Sequence, residues 1–179
     1  GCILHDLGRN EDRLRGTYEF PFEFHHIDSS HPRYVMSYHW HVECEIMRVL
    51  QGTLTVTLDE KSFTATAGDI IFVHSGILHS GIPEDCVYQC IVFDGNTFLK
   101  NNSVCAGYMQ KIIHQEILIY HHFTPKYVDI CATVNSLFDA LWKKPSGYEL
   151  SVLGQFYHFF GLVFGNHYYL ESPVSYTHL

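Results

Sequence analysis

The chain has 179 residues, 46% of them hydrophobic, enough for one sizeable core and too few to favour two. Its net charge of −8, with only 11 Lys and Arg spread thinly, offers no cationic surface for a phosphate backbone, so this chain taken alone is not expected to bind nucleic acid. It contains no run of about 18 apolar residues to span a bilayer, and the opening GCILHDLGRNEDR lacks the basic start and apolar stretch of a signal peptide, which leaves the cytoplasm as the default.

Residues 1–16 are charged and unpatterned, as in an arm that orders only by packing on something else. TYEFPFEF then sets Tyr18, Phe20, Phe22 and Phe24 on one face and Glu19, Pro21 and Glu23 on the other, which predicts a strand, with Pro21 marking a sheet edge. The run TLTVTLDEKSFTATAGDIIFV alternates Leu54, Val56 and Leu58 with threonines. It turns at Asp59–Lys61, enters a second strand, and turns again at Gly68-Asp69 into an apolar stretch. CVYQCIVFD makes a further strand. Short strands with turn signals every eight to twelve residues predict an antiparallel sandwich or barrel to about residue 94.

Six cysteines, at 2, 44, 86, 90, 105 and 131, include no CxxC pair, and Cys86 and Cys90 would lie about 13 Å apart on one strand, too far for a disulfide. Residues 104–120 fit neither period. From 127 to 144 a helical stripe of Tyr127, Ile130, Cys131, Val134, Phe138, Leu141 and Trp142 ends at Pro145. Ser146 and Glu149 have capping-box spacing, and the chain to about Leu170 is apolar and aromatic enough to imply a partner surface beyond one small barrel. That last stripe reads as core and dimer interface. The chain lacks an initiating Met and ends in the polar SPVSYTHL, so it reads as a piece of a longer protein.

The chemistry concentrates in YHWHVECEIMRVLQG, residues 38–52. Alternate residues of a strand point the same way, so His39 and His41 can present two imidazoles to one point. Glu45 shares their parity but would stand about 13 Å off along a straight strand, beyond the roughly 2 Å bonds of a shared ion. The chain must therefore turn at Val42–Cys44 and return Glu45 on the next strand. His79, after GDIIFVHSGILH, is a fourth candidate. His74 reads as a rim or loop residue, and the pairs His25-His26 and His121-His122 point to opposite faces, as solvated surface residues would.

His39, His41, Glu45 and Gly52 match the spacing of the first cupin motif, and Gly68, His74, Gly76 and His79 resemble the second, with fifteen residues between Gly52 and Gly68. The resemblance implies a mainly β fold with C-terminal helices: a cupin barrel, the double-stranded β-helix or jelly-roll, followed by an antiparallel helix pair. In metal-binding cupins the positions of His39, His41, Glu45 and His79 are ligands, a set that suits one divalent transition metal, Fe, Mn, Ni or Zn. The other reading of the same four residues is a polar pocket without metal.

Over residues 18–170 the chain resembles the effector-binding and dimerisation domain of AraC-type transcription regulators. The organisation implied is an arm over 1–16, a barrel over 17–100, a linking segment over 101–126, a helical dimerisation pair over 127–170 and a tail over 171–179. The family's DNA-binding helix-turn-helix domain is absent from this chain. The resemblance implies a binding module rather than an enzyme, a homodimer through the C-terminal helices, and a small polar effector of the sugar class, with no membrane partner. His39, His41, Glu45 and His79 would form the polar end of the pocket and Met47 and Val49 its apolar wall by strand parity. Tyr88 is placed inward by the resemblance alone. The alternative is a metal-dependent cupin enzyme, a dioxygenase or isomerase, which the complete ligand set permits.

Overall fold

The computed structural model describes residues 16–17, 19–39, 43–77, 79–100 and 103–171, with the side chains of Tyr38 and His39 excepted. The order is β1 (Phe22–Ile27), β2 (Met36–His39), β3 (Cys44–Leu58), β4 (Lys61–Thr66), β5 (Ile70–Val73) and β6 (His79–Phe93), a 3-10 turn (Gly95–Leu99), α1 (Ser103–Ile113), β7 (Ile117–Ile119), β8 (His122–Phe123), α2 (Val128–Lys143), α3 (Tyr148–Asn166) and β9 (Tyr169–Glu171). Among the described residues this is a mainly antiparallel β fold with C-terminal helices, the expected class.

Two long strands organise it. β3 and β6 pair along their length, from Cys44 opposite Phe93 to Leu58 opposite His79, with the register broken on either side of Gln51. The break carries Gly52 at φ 72, and a Cβ there would stand 2.1 Å from the Asp85 carbonyl oxygen, so this bend needs glycine. On one side of it β3 pairs with β5, and on the other with β4; β6 likewise pairs with β1 at one end and β2 at the other. The bend thus lets one strand pair serve two parts of the sheet. β1 lies at the sheet edge, where Pro21 needs no donor. The strand expected from residue 17 begins instead at Phe22, with Phe20 packed on Phe22 and Tyr148 before it.

Strand parity divides the apolar side chains into two clusters. Met47, Val49, Leu54, Val56, Ile71, Val73, Tyr88 and Cys90 fill the inner face of the barrel. Ile46, Ile70, Phe72, Ile91 and Phe93, from the same strands, meet the helices on the outer face. This is why IIFV is apolar throughout: both faces of β5 are covered.

α2 and α3 form an antiparallel hairpin joined by residues 144–147, and Asn166 at the end of α3 donates to the Asp129 carboxylate at the start of α2 (3.2 Å). The helix that was expected to start at a Ser146 cap starts one residue later. Gly147, at φ 80, occupies the cap position with no side-chain cap, and its carbonyl accepts from Leu150 and Ser151. The surplus of apolar surface on this helix is also largely consumed within the chain. Val152, Phe156, Phe159, Phe160 and Val163 are buried, with Phe156 against Phe22, Phe93 and Phe98 at ring distances of 4.9, 4.7 and 5.4 Å. α1, in the stretch that fitted neither period, supplies part of that cover through Met109 and Ile112.

Candidate functional site

β2 and β6 bring His39 directly opposite His79 in register, and β3 brings Glu45 in beside them. His41 lies outside the described residues. His79 is fully buried and Glu45 is 5% exposed, and His79 Nε2 sits 3.0 Å from Glu45 Oε2. The tautomer follows from the other ring nitrogen: Nδ1 lies 3.0 Å from the Ile77 carbonyl, which can only accept, so Nδ1 carries a proton. The contact with Glu45 then requires a second proton between Nε2 and Oε2. Whichever atom holds it, the dyad as a pair carries no net charge.

Beside the dyad is a cavity of about 120 Å³. Its walls come from β1 (His25, Ile27), the connection after it (Pro32, Arg33, Val35), β2 (Met36, Ser37), β3 (Glu45) and β6 (Tyr88, Cys90). Same-face rows across the sheet explain the grouping: His25 pairs with Cys90 and Cys90 with Met47, while Ile27 pairs with Tyr88 and Tyr88 with Val49. Met47 and Val49 therefore lie on the same face as the cavity residues, fully or nearly fully buried in the inner apolar cluster. β6 turns Tyr88 inward, and its hydroxyl is placed to donate to the carbonyls of Arg33 (3.2 Å) and Tyr34 (3.0 Å). Tyr34 answers by accepting from Cys86 N–H at 3.2 Å. These contacts tie the connection over residues 28–35 to the barrel.

Burial sets the protonation of the lining. It lowers the His25 pKa, against the nearby Glu23 carboxylate, and raises the Tyr88 hydroxyl and the Cys90 thiol, which Glu45 raises further. All three are neutral near pH 7. The sequence reading missed His25, Arg33, Ser37 and Cys90. His25 was available from the parity of Phe22 and Phe24, which puts it on the other face, but Arg33 lies in a connection with no period to read.

The other histidines depart from expectation. His74 lies in the connection after β5, as a loop residue would, but not at a rim: it is 1% exposed, its Nε2 accepts from Ile119 N–H at 2.8 Å, and burial first, then His121, lowers its pKa to about 3. The pairs expected on solvated surface are also engaged. His26 contacts Gln89 at 2.9 Å and stacks on Trp142, and His25 lines the cavity. His121 Nδ1 donates to the Phe72 carbonyl, and His122 Nε2 meets Asp69 Oδ2 at 2.7 Å.

The outer face of the same strands holds a polar clamp on α2. Arg48 donates Nε–H to Gln89 (2.8 Å), reaches Asn135 (3.1 Å) and Asp139 (3.0 Å) on α2, and lies over the Phe138 ring at 5.0 Å. Arg48 alternates with Met47, and Gln89 stands between Tyr88 and Cys90. Strands that line the cavity thus also grip the helix hairpin.

No group of three or more His, Cys, Asp or Glu able to hold an ion is found among the described residues. Glu45 and His79 are donors of the type an ion takes, and their separation of 3.0 Å is that of the hydrogen bond they share. Neither is any described helix long and apolar enough to cross a membrane.

A bent antiparallel barrel with a buried polar dyad, a small cavity beside it and a helix hairpin on its back has the form of a ligand-binding domain. Residues 21–160 match the family model for the AraC-like ligand binding domain, and the chain belongs to that family. It is similar to an uncharacterized HTH-type transcriptional regulator, YdeC, of Bacillus subtilis strain 168, at 25% identity over 126 residues. That match takes in 65% of this chain and 42% of the relative, so the chain spans less than half of that protein's length. Among solved structures it is similar to a variant of the oxalate decarboxylase of Bacillus subtilis (TM-score 0.31, 24% identity, 34% of this chain and 18% of that one). A second is KdgF from a Halomonas species (TM-score 0.32, 21% identity, 33% of this chain and 57% of that one).

Proposed function

We propose that this chain is the effector-sensing and dimerisation part of an AraC-type transcription regulator, in which a small polar molecule, of the sugar class, enters the cavity beside the Glu45–His79 dyad. A separate helix-turn-helix domain would then read DNA. The observation that carries the reading is a buried carboxylate, Glu45, on the wall of a cavity and bonded to the buried imidazole of His79, in a ligand-binding family. Buried ionisable groups cost stability unless they serve a partner. His39 and His41 belong to the proposed polar end, and Met47, Val49 and Tyr88 to the wall behind it. On this reading the domain binds and does not turn over its ligand. An ion held by His39, His41, Glu45 and His79 is the rival use of the same residues, and it is what a dioxygenase or isomerase of this fold would need.

Thermal unfolding against a panel of sugars and polyols tests the proposal. A binder at 100 times its Kd should add about 2.7 kcal/mol, and Glu45→Gln with His79→Gln should abolish the gain. A hit whose stabilisation survives the double change lies elsewhere, and consumption of the hit, or close to one equivalent of transition metal in protein purified without chelator, favours the enzyme.

The homodimer is proposed through the α2–α3 hairpin. Phe156 and Phe160 are core residues, so the surface offered is Val128, Trp142, Leu150 (79% exposed) and Tyr157. An isologous contact is expected. Leu150→Glu should leave unfolding unchanged within about 0.5 kcal/mol while sedimentation shows monomers. A wild-type chain that sediments as a monomer at high micromolar concentration removes the dimer.

A further inference from the structure

β1 and β2 lie along the same edge of β6 without meeting. β1 runs beside it from Tyr88 to Phe93 and β2 from His79 to Gly81, so among the described residues 82–87 have no strand neighbour on that side. The cavity lies at this gap. Its walls include Ile27 at the end of β1, Met36 and Ser37 at the start of β2, and Tyr88 on β6, and the connection 28–35 crosses it with Pro32, Arg33 and Val35 on the cavity. We propose that the gap is the entrance to the cavity and that residues 28–35 form a hinged flap over it, latched by the hydroxyls of Tyr88 and Tyr34. Passage of an effector by this route rests on the effector-pocket reading above; the flap itself does not.

Three observations carry the flap. First, the connection holds itself together. Ser30 N–H donates to the Asp28 carboxylate (2.9 Å), His31 N–H to the Asp28 carbonyl (3.0 Å), Arg33 N–H to His31 Nδ1 (2.9 Å) and Tyr34 N–H to the His31 carbonyl (3.0 Å). Two turns so bonded move as one body. Second, the core does not hold the connection down: no side chain over residues 28–37 is buried, and Val35 is 62% exposed. Segments with few buried apolar contacts open at a fraction of the global cost. The ends, by contrast, are fixed, Ile27 buried opposite Tyr88 and Met36 opposite Gly81, which puts the hinges there. Third, the latch is polar. The Tyr88 hydroxyl is placed to donate to the Arg33 and Tyr34 carbonyls, and Cys86 N–H, inside the gap, donates to the Tyr34 hydroxyl where a continuous sheet would offer it a strand. Water can take these places when the flap lifts, so opening leaves no polar group bare.

The test needs no effector. Cys90 lines the cavity at 2% exposure, and its modification by methyl methanethiosulfonate, followed in the full chain by peptide mass, reports each opening. In wild type the rate should be nearly insensitive to urea below the unfolding transition, as a local opening is. Tyr88→Phe and Tyr34→Phe should each quicken it roughly two- to tenfold, the worth of one hydrogen bond. Phe156→Ala, on the outer face, should leave it unchanged. The Cys86 amide should exchange with the same opening constant as the Cys90 thiol. Cys90 labelling that follows the urea slope of global unfolding, or that Phe156→Ala speeds about a hundredfold, means a cavity that opens only with the whole domain and overturns the flap. A shallow opening that neither tyrosine change moves puts the entrance elsewhere and overturns it too. Should Tyr88→Phe not fold, Tyr34→Phe and the wild-type urea slope decide. A sugar that binds while the labelling fails removes the flap and keeps the pocket, and an empty sugar panel with the labelling as expected does the reverse.

Discussion

The inner and outer faces of the barrel are built from alternate residues of the same strands and have opposite character. The outer face is packed with rings: Phe22, Phe93, Phe98, Phe156 and Phe160 are linked by ring contacts of 4.7–6.5 Å between centroids. The inner face is aliphatic, with buried polar groups and a void. Aromatic packing is dense and fixes one arrangement; a cavity with neutralised polar groups leaves stability unclaimed for a ligand to supply. The outer face therefore sets how stable the domain is, and the inner face sets how its stability responds.

The largest effect that separates the faces is Phe156→Ala. It removes a fully buried ring shared by α3, β1 and β6, and should cost about 3–5 kcal/mol in denaturant unfolding. Ligand affinity of the folded fraction should stay unchanged. A loss of affinity equal to the loss of stability would show that the two faces are one cooperative unit.

Next comes pH, through His74. Its folded pKa of about 3 lies below the ordinary 6.5 of a histidine, so the unfolded chain binds the proton more readily in between. Stability is whole above pH 6.5 and falls as pH drops toward 3. Protonating Nε2 breaks the bond from Ile119 N–H, and the loss should reach roughly 2 kcal/mol by pH 5. His74→Gln should flatten that limb of the profile. If the limb persists in the variant, another group carries it.

What was legible in the sequence divides along the same line. The strands of the barrel and the stripe of α2 follow from their periods, because each buries one continuous face. Glu45 and His79 came together through the resemblance of their motifs to the cupin pair, and the fold sets them 3.0 Å apart. The stretch 104–120 was not legible, since α1 buries little besides Met109 and Ile112 and carries Gly107 in its middle. The burial of His74 depends on that stretch, through Ile112 and Ile119, and so was invisible with it. Arg33 could not be read either. Its place on the cavity wall is set by Tyr88 and Tyr34, which hold an irregular connection by hydroxyl bonds that leave no pattern in the chain.

The smallest expected effect tests that last point. Tyr88→Phe keeps the ring that packs on Val49 and Ile27 and deletes only the hydroxyl that binds the Arg33 and Tyr34 carbonyls. Those carbonyls lie in a half-exposed connection where water can replace the lost donor, so the cost should be about 0.5–1.5 kcal/mol. The consequence should be local. Amide exchange over residues 30–36 should quicken while α2 and α3 stay protected, because the ring clusters of the outer face do not touch this bond. Ligand dissociation should speed up in step, since the connection that carries Arg33 also closes the cavity. Faster exchange spread through α2 would mean instead that the Arg48–Gln89 clamp, one residue away on β6, transmits the loss of a single hydroxyl to the helix hairpin.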